Sequence, residues 1–112
     1  MMRVEVITKR KDLVIRRLVL DPGEPMFWHK DTCHRFSVVV RGSLLAIEYR
    51  DSKETLELEV YPGMANWDAP EKRVHRAINM GREIYEEVVT FYRSSSKIDP
   101  QPIAEDDKPI ED

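Results

Sequence analysis

Only one cysteine, Cys33, occurs in the chain, so no internal disulfide can close and no multi-cysteine zinc site can be built. No apolar run approaches the roughly 18 residues that a membrane-crossing helix needs. Residues 1–10 lack the apolar core of a secretory signal. Net charge is −3 and no block of five or six basic residues appears, so the electrostatic footprint of a nucleic-acid binder is missing. These absences lead us to expect a cytoplasmic protein with neither membrane nor nucleic acid as a partner. Helical periodicity is also lacking: no stretch repeats its apolar residues every three to four positions.

What is present suits one small globular domain. The 112 residues are 41% hydrophobic and 35% charged. Charge is unevenly spread. Residues 94–112 hold six acids and two lysines, a net of −4, which leaves the preceding body at +1. Ser94, Ser95, Ser96, Pro100, Pro102 and Pro109 sit among those acids with few apolar residues. We therefore divide the chain into a domain over 1–93 and an acidic tail over 94–112. Such a tail buries too little surface to order itself. Its plain role is solubilising, and a strap docked on a partner is the other reading.

The body reads as all-β. Val4 and Val6 alternate with polar residues over Arg3 to Thr8, and Leu13 to Leu20 is a second β-rich run. Phe36 to Val40, Leu44 to Tyr49, Thr55 to Val60, His75 to Ile78 and Ile84 to Tyr92 follow. Thr55 to Val60 alternates strictly, with Leu56, Leu58 and Val60 on one face and Glu57 and Glu59 on the other. Gly23, Gly42, Gly63 and Gly81 all fall between such runs, where turns need residues free to take positive φ. Short strands at regular spacing indicate a sandwich or barrel.

Candidate chemistry centres on His29, Asp31 and His75. Residues two apart on a strand share a face, so His29 and Asp31 can point inward together and His75 can meet them from another strand. Two imidazoles and one carboxylate suit a divalent cation: iron, manganese, nickel or zinc. Hydrogen-bonded barrel histidines without a metal are the plain alternative. Arg35, Trp28, Trp67 and Cys33 are candidate substrate-binding residues. Arg35 would hold an anion, the two tryptophans would form an apolar wall, and Cys33 shares the inward parity of His29 and Asp31. His34 has the opposite parity and is expected to face outward. Arg16, Arg17, Arg73, Arg76, Glu48, Glu57, Glu59, Glu86 and Glu87 read by default as solvated surface, the four arginines having the alternative of adding positive potential near the pocket for an acidic ligand, and Asn79 reads as a residue that fixes a turn.

The spacing of these residues resembles the two motifs of the cupin superfamily. In the first, Gly23 precedes His29 by five intervening residues, Asp31 and Arg35 follow at the next two ligand positions, and Gly42 closes the motif. In the second, Gly63, Pro70, His75 and Asn79 fall in frame with one extra residue, and Lys72 stands where a second glycine is usual. The resemblance covers roughly residues 18–92. It implies a conical double-stranded β-helix, or jelly-roll barrel, often paired as a homodimer, with a divalent metal at the mouth. Family activities range from dioxygenases and isomerases to pure binding modules, so the fold does not supply a reaction. Two ligand positions are altered. Asp31 remains a credible ligand, but Arg35 replaces a glutamate, and a guanidinium has no lone pair to donate. Two readings stay open. In one, metal binds through His29, Asp31 and His75 while Arg35 clamps an anionic substrate, and the protein is an enzyme of unspecified reaction. In the other, the pocket holds no metal and binds or senses a small carboxylate or sugar.

Overall fold

The computed structural model describes residues 1–92. The boundary at residue 93 and the expectations for the acidic tail lie outside the described residues. Nine strands and no helix are found among the described residues: β1 (Arg3–Lys9), β2 (Leu13–Leu20), β3 (His29–Asp31), β4 (His34–Arg41), β5 (Leu44–Tyr49), β6 (Thr55–Glu59), β7 (Ala65–Asp68), β8 (Glu71–Asn79) and β9 (Tyr85–Tyr92).

They form two sheets. One has the order β1-β2-β9-β4-β7 and the other β3-β8-β5-β6, and every pairing within them is antiparallel. Sequence neighbours are repeatedly separated across the two sheets, as in a rolled-up Greek key. Each inner face is built by period-two alternation. In β2, Val14, Arg16, Leu18 and Leu20 are buried. In β9, Tyr85, Val89 and Phe91 are buried on the inward side. Leu18, Leu20, Met26, Val39, Leu45, Val60, Ala77 and Tyr85 pack into the main core, and Val14, Cys33, Val89 and Phe91 make a second cluster.

The all-β expectation holds, and the structure adds detail that composition did not show. The strand expected from Phe36 starts at His34, the one expected from His75 starts at Glu71, and β3 and β7 are short elements framing the loops between them. The glycines also differ among themselves. Gly23, Gly42 and Gly63 have positive φ, whereas Gly81 does not. Gly81 is required for space instead, because a Cβ there would stand 2.5 Å from the Ser43 hydroxyl. Gly42 carries both constraints, with φ of 140° and the Tyr85 ring 2.7 Å from where a Cβ would be.

Asn79 closes the end of the barrel away from the histidines. Its side chain is fully buried, and its amide nitrogen donates to the Leu20 carbonyl at 3.1 Å and the Glu83 carbonyl at 2.9 Å. Its amide oxygen accepts from the Gly81 N–H at 3.0 Å. One side chain thus ties the end of β2 to the β8–β9 turn. Asn79→Leu leaves those three backbone groups without partners, and urea denaturation is expected to show a loss of about 3 kcal/mol.

Candidate metal and anion site

The backbone brings His29 and His75 together directly, as register partners on β3 and β8. Their rings lie 4.5 Å apart between centroids. Asp31 sits one alternation step along β3 from His29, and all three side chains are buried. One Asp31 carboxylate oxygen, Oδ2, lies 2.8 Å from His75 Nε2, 3.6 Å from His29 Nε2 and 3.2 Å from Arg35 Nη1.

The other ring nitrogens explain why the Nε2 atoms converge. His29 Nδ1 is 3.0 Å from the Phe27 carbonyl and His75 Nδ1 is 2.8 Å from the Arg73 carbonyl. A carbonyl only accepts, so Nδ1 carries the proton in both rings. Each neutral ring then presents a bare Nε2 lone pair toward Asp31. This is the arrangement of a histidine ligand oriented by its own backbone. The three ligand atoms lie within 4.8 Å of one another, so His29, Asp31 and His75 can hold a metal ion. The donor chemistry fits a borderline divalent cation, with two imidazoles and one carboxylate on one side and protein-free cavity on the other.

Without a cation the same geometry calls for a second proton on His75, since two bare lone pairs at 2.8 Å would repel. Burial works against a charged His75 ring, but the Asp31 carboxylate and the Arg73 carbonyl outweigh it and raise the group above its ordinary value. Burial likewise would push the Asp31 carboxyl up, yet its neighbours His29, His75 and Arg35 together hold it far below the usual carboxylate range. A proton and a metal ion therefore compete for one place.

These residues form one end of a cavity of about 470 Å³ between the sheets, a size ordinary for small-molecule sites. Arg35 lines it from β4. Two residues read from sequence as solvated surface also line it, Arg16 from β2 and Glu87 from β9. Both share strand parity with buried apolar neighbours, Val14 and Leu18 on β2 and Tyr85 and Val89 on β9, which turns them inward despite their charge. The Arg16 guanidinium lies 4.7 Å from the centre of the Phe91 ring. Tyr85 donates to Glu87 at 2.7 Å, and burial pushes the Glu87 carboxyl up. Arg17, Arg73 and Arg76 stay outside the cavity and pair with Glu5, Asp51 and Glu48 respectively.

Trp28, Trp67 and Cys33 are not among the described residues that line the cavity. Trp67 lies between inward-facing Asn66 and Asp68, so alternation turns it outward, where it is 61% exposed beside His34, Phe36 and Tyr92. Trp28, next to inward-facing His29, packs instead under Arg76, whose guanidinium carbon is 4.2 Å from the ring centre. Cys33 keeps the inward side of His29 and Asp31 but is buried in the core against Val14, Val89 and Phe91 rather than on the cavity wall. His34 is exposed, as its parity requires.

Two antiparallel sheets rolled around a histidine–carboxylate cluster define a double-stranded β-helix with a polar mouth. Comparison with solved structures shows the same fold in cupin proteins. A cupin domain from Bordetella pertussis Tohama I superposes with a TM-score of 0.74 at 16% identity, over 83% of this chain and 94% of that one. An RmlC-like cupin family protein with a double-stranded β-helix fold from Methanocaldococcus jannaschii gives 0.65 at 20% identity, over 82% and 80%. A structure of an oxalate oxidase gives 0.54 at 18% identity, over 71% of this chain and 41% of that one. No protein-family profile and no curated protein matches the chain. No helix among the described residues is long and apolar enough to cross a membrane.

The charge pattern fixes how stability must follow pH when no metal is bound. Asp31 has a folded value below its unfolded one, so its contribution is present above about pH 4 and fades as pH falls below that. His75 has a folded value above its unfolded one. Its contribution is full below about pH 6.5 and is lost as pH rises through the folded value. Glu87, also raised, contributes fully only below about pH 4.5 and loses its contribution as pH rises through its folded value, which tilts the maximum toward its acid edge. Chelator-treated protein is therefore expected to melt highest between about pH 4 and pH 6.5. His75→Gln is expected to flatten part of the alkaline limb in a thermal melt series. A melting temperature equal from pH 6 to pH 8 in both proteins would contradict this assignment.

Proposed function

We propose that this chain is a small-molecule-binding cupin and a metal-dependent enzyme acting on a small anionic substrate. The observation that carries the reading is the convergence of two backbone-oriented Nε2 atoms on one buried carboxylate, open to a cavity. His29, Asp31 and His75 would hold the cation, which when bound would polarise a carbonyl or activate water or oxygen. Arg35, 3.2 Å from Asp31, is placed to turn from that carboxylate to an anionic group of the substrate.

A second reading is favoured by one contact. The Arg35 guanidinium already neutralises Asp31, so the carboxylate has a cationic partner without a metal. In that case the protein is a binding module for a small carboxylate or sugar. The two readings separate on metal content, measured by plasma mass spectrometry of the purified chain. Near-stoichiometric iron, manganese, nickel or zinc that is lost in His75→Ala supports the enzyme. No metal after incubation with each of these ions supports the binding module. Arg35→Glu removes a cation and adds a ligand oxygen, so metal affinity is expected to rise by about tenfold or more. Unchanged affinity would show that Arg35 does not bear on the metal.

We place the protein in the cytoplasm as a homodimer. The outer face of the five-stranded sheet supports the pairing, since Phe36, Val38 and Val88 lie there with Val40 43% and Trp67 61% exposed. Sedimentation equilibrium is expected to return twice the 13.2 kDa chain mass. A mass of one chain would overturn the dimer.

A further inference from the structure

The cavity is not uniform along its length, and its register shows how it changes. On the five-stranded sheet, the outermost inward row is Val14, Phe91, Arg35 and Asp68. The next is Arg16, Val89, Ser37 and Asn66. The third is Leu18, Glu87 and Val39. The four-stranded sheet answers with His29, His75 and Tyr49, then Ala77, Ile47 and Leu56, then Asn79, Leu45 and Leu58. Cations thus stand in the first two rows, opposite or next to the His29–Asp31–His75 cluster. The third row has none, and Met26, Val60 and Met64 join Val39, Leu45 and Leu58 in lining that end.

Two leucines make the apolar end more than a core. Leu56 and Leu58 are 51% and 36% exposed, although their β5 partners Ile47 and Leu45 point inward and both leucines line the cavity. β6 is the edge of its sheet, so no further strand covers them. Large apolar side chains facing a cavity of this size are an unfavourable surface until something apolar lies on them.

We infer that the cavity takes an amphipathic monocarboxylate, its carboxylate at Arg35 and its apolar body running inward along Leu56 and Leu58. This rests on the anion-binding reading of Arg35 given above and narrows it. A sugar would need hydrogen-bond partners along its whole length, and the inner end is lined mainly by Met26, Val39, Leu45, Leu58, Val60 and Met64. A dicarboxylate would bring its second charge to the third row, where it would meet the Glu87 carboxyl and no cation. The Tyr85–Glu87 hydrogen bond leaves that row polar at one point only, enough for one hydroxyl or carbonyl on the ligand body.

The test is isothermal titration of the full-length protein, as purified, with butanoate, hexanoate, octanoate, octanedioate and octan-1-ol. Affinity is expected to rise about threefold to fourfold per added methylene, about a hundredfold from butanoate to octanoate. Octanedioate and octan-1-ol are each expected to bind at least about tenfold more weakly than octanoate, the first for its unmatched inner charge and the second for its missing contact with Arg35. Leu58→Gln, on an exposed edge strand, is expected to flatten the chain-length slope while leaving butanoate affinity unchanged. Leu56→Gln gives the same readout should the first variant fail to fold. Equal binding of all three monoacids, or tighter binding of octanedioate, overturns the amphipathic ligand. Loss of that equal binding in Arg35→Gln would show that the anion site itself survives. Binding of octan-1-ol as tight as octanoate, or no binding by any of the series, overturns both this inference and the anion reading beneath it.

Discussion

A buried carboxylate governs the architecture of this molecule. Asp31 is 5% exposed, and a lone ionised carboxylate in that position would be too costly to keep. It persists because His29, His75 and Arg35 surround a single one of its oxygens. Those partners come from three strands in two sheets, so satisfying Asp31 requires β3, β8 and β4 to be correctly registered at once. The backbone carbonyls of residues 27 and 73 complete the set by fixing which nitrogen each imidazole offers. Charge compensation and fold register are one constraint here. The second centre of polar organisation, Asn79 at the other end of β8, acts through neutral hydrogen bonds and so shapes a turn without creating a reactive site.

Arg35 stands where the cupin motif that the sequence resembles carries a glutamate, and it gives this pocket its particular character. An added carboxylate would make the site more anionic and more committed to a cation. A guanidinium offsets the Asp31 charge, which is the basis of the proposed anion-binding reading. With Arg16 one row further in and apolar walls beyond, positive potential falls off inward along the pocket. On the proposed anion-binding reading, this gradient would turn the charged end of a ligand toward His29, Asp31 and His75. Orientation of this kind is a large part of what small pockets contribute to reactivity.

The legible part of the sequence was its alternation and its punctuation. Leu56 and Leu58 against Glu57 and Glu59, and the spacing of Gly23, Gly42 and Gly63, state strand parity and turn positions locally. His29, Asp31 and His75 were legible because they sit at fixed distances from those turns. What misled was treating residue type as a guide to facing. Trp28 and Trp67 suggest a wall because they stand beside the motif positions, yet each is adjacent to an inward polar residue and alternation turns it away. Glu87 and Arg16 were expected in solvent because they are charged, yet each lies two residues from a buried apolar side chain of its own strand. Applying parity uniformly along β2 and β9 would have found both.

By itself, then, the sequence determined the strand-forming pattern, the turns and the identity of the metal-competent trio, since these depend on residues near one another in the chain or on spacing from glycine. Only the tertiary structure decided that His29 and His75 are register partners, that one oxygen of Asp31 is shared among three partners, and that β2 and β9 contribute Arg16 and Glu87 to the same cavity. The physical reason is that strand pairing joins segments dozens of residues apart. A one-residue slip in any pairing would turn each of these side chains to the opposite face without altering a single local preference.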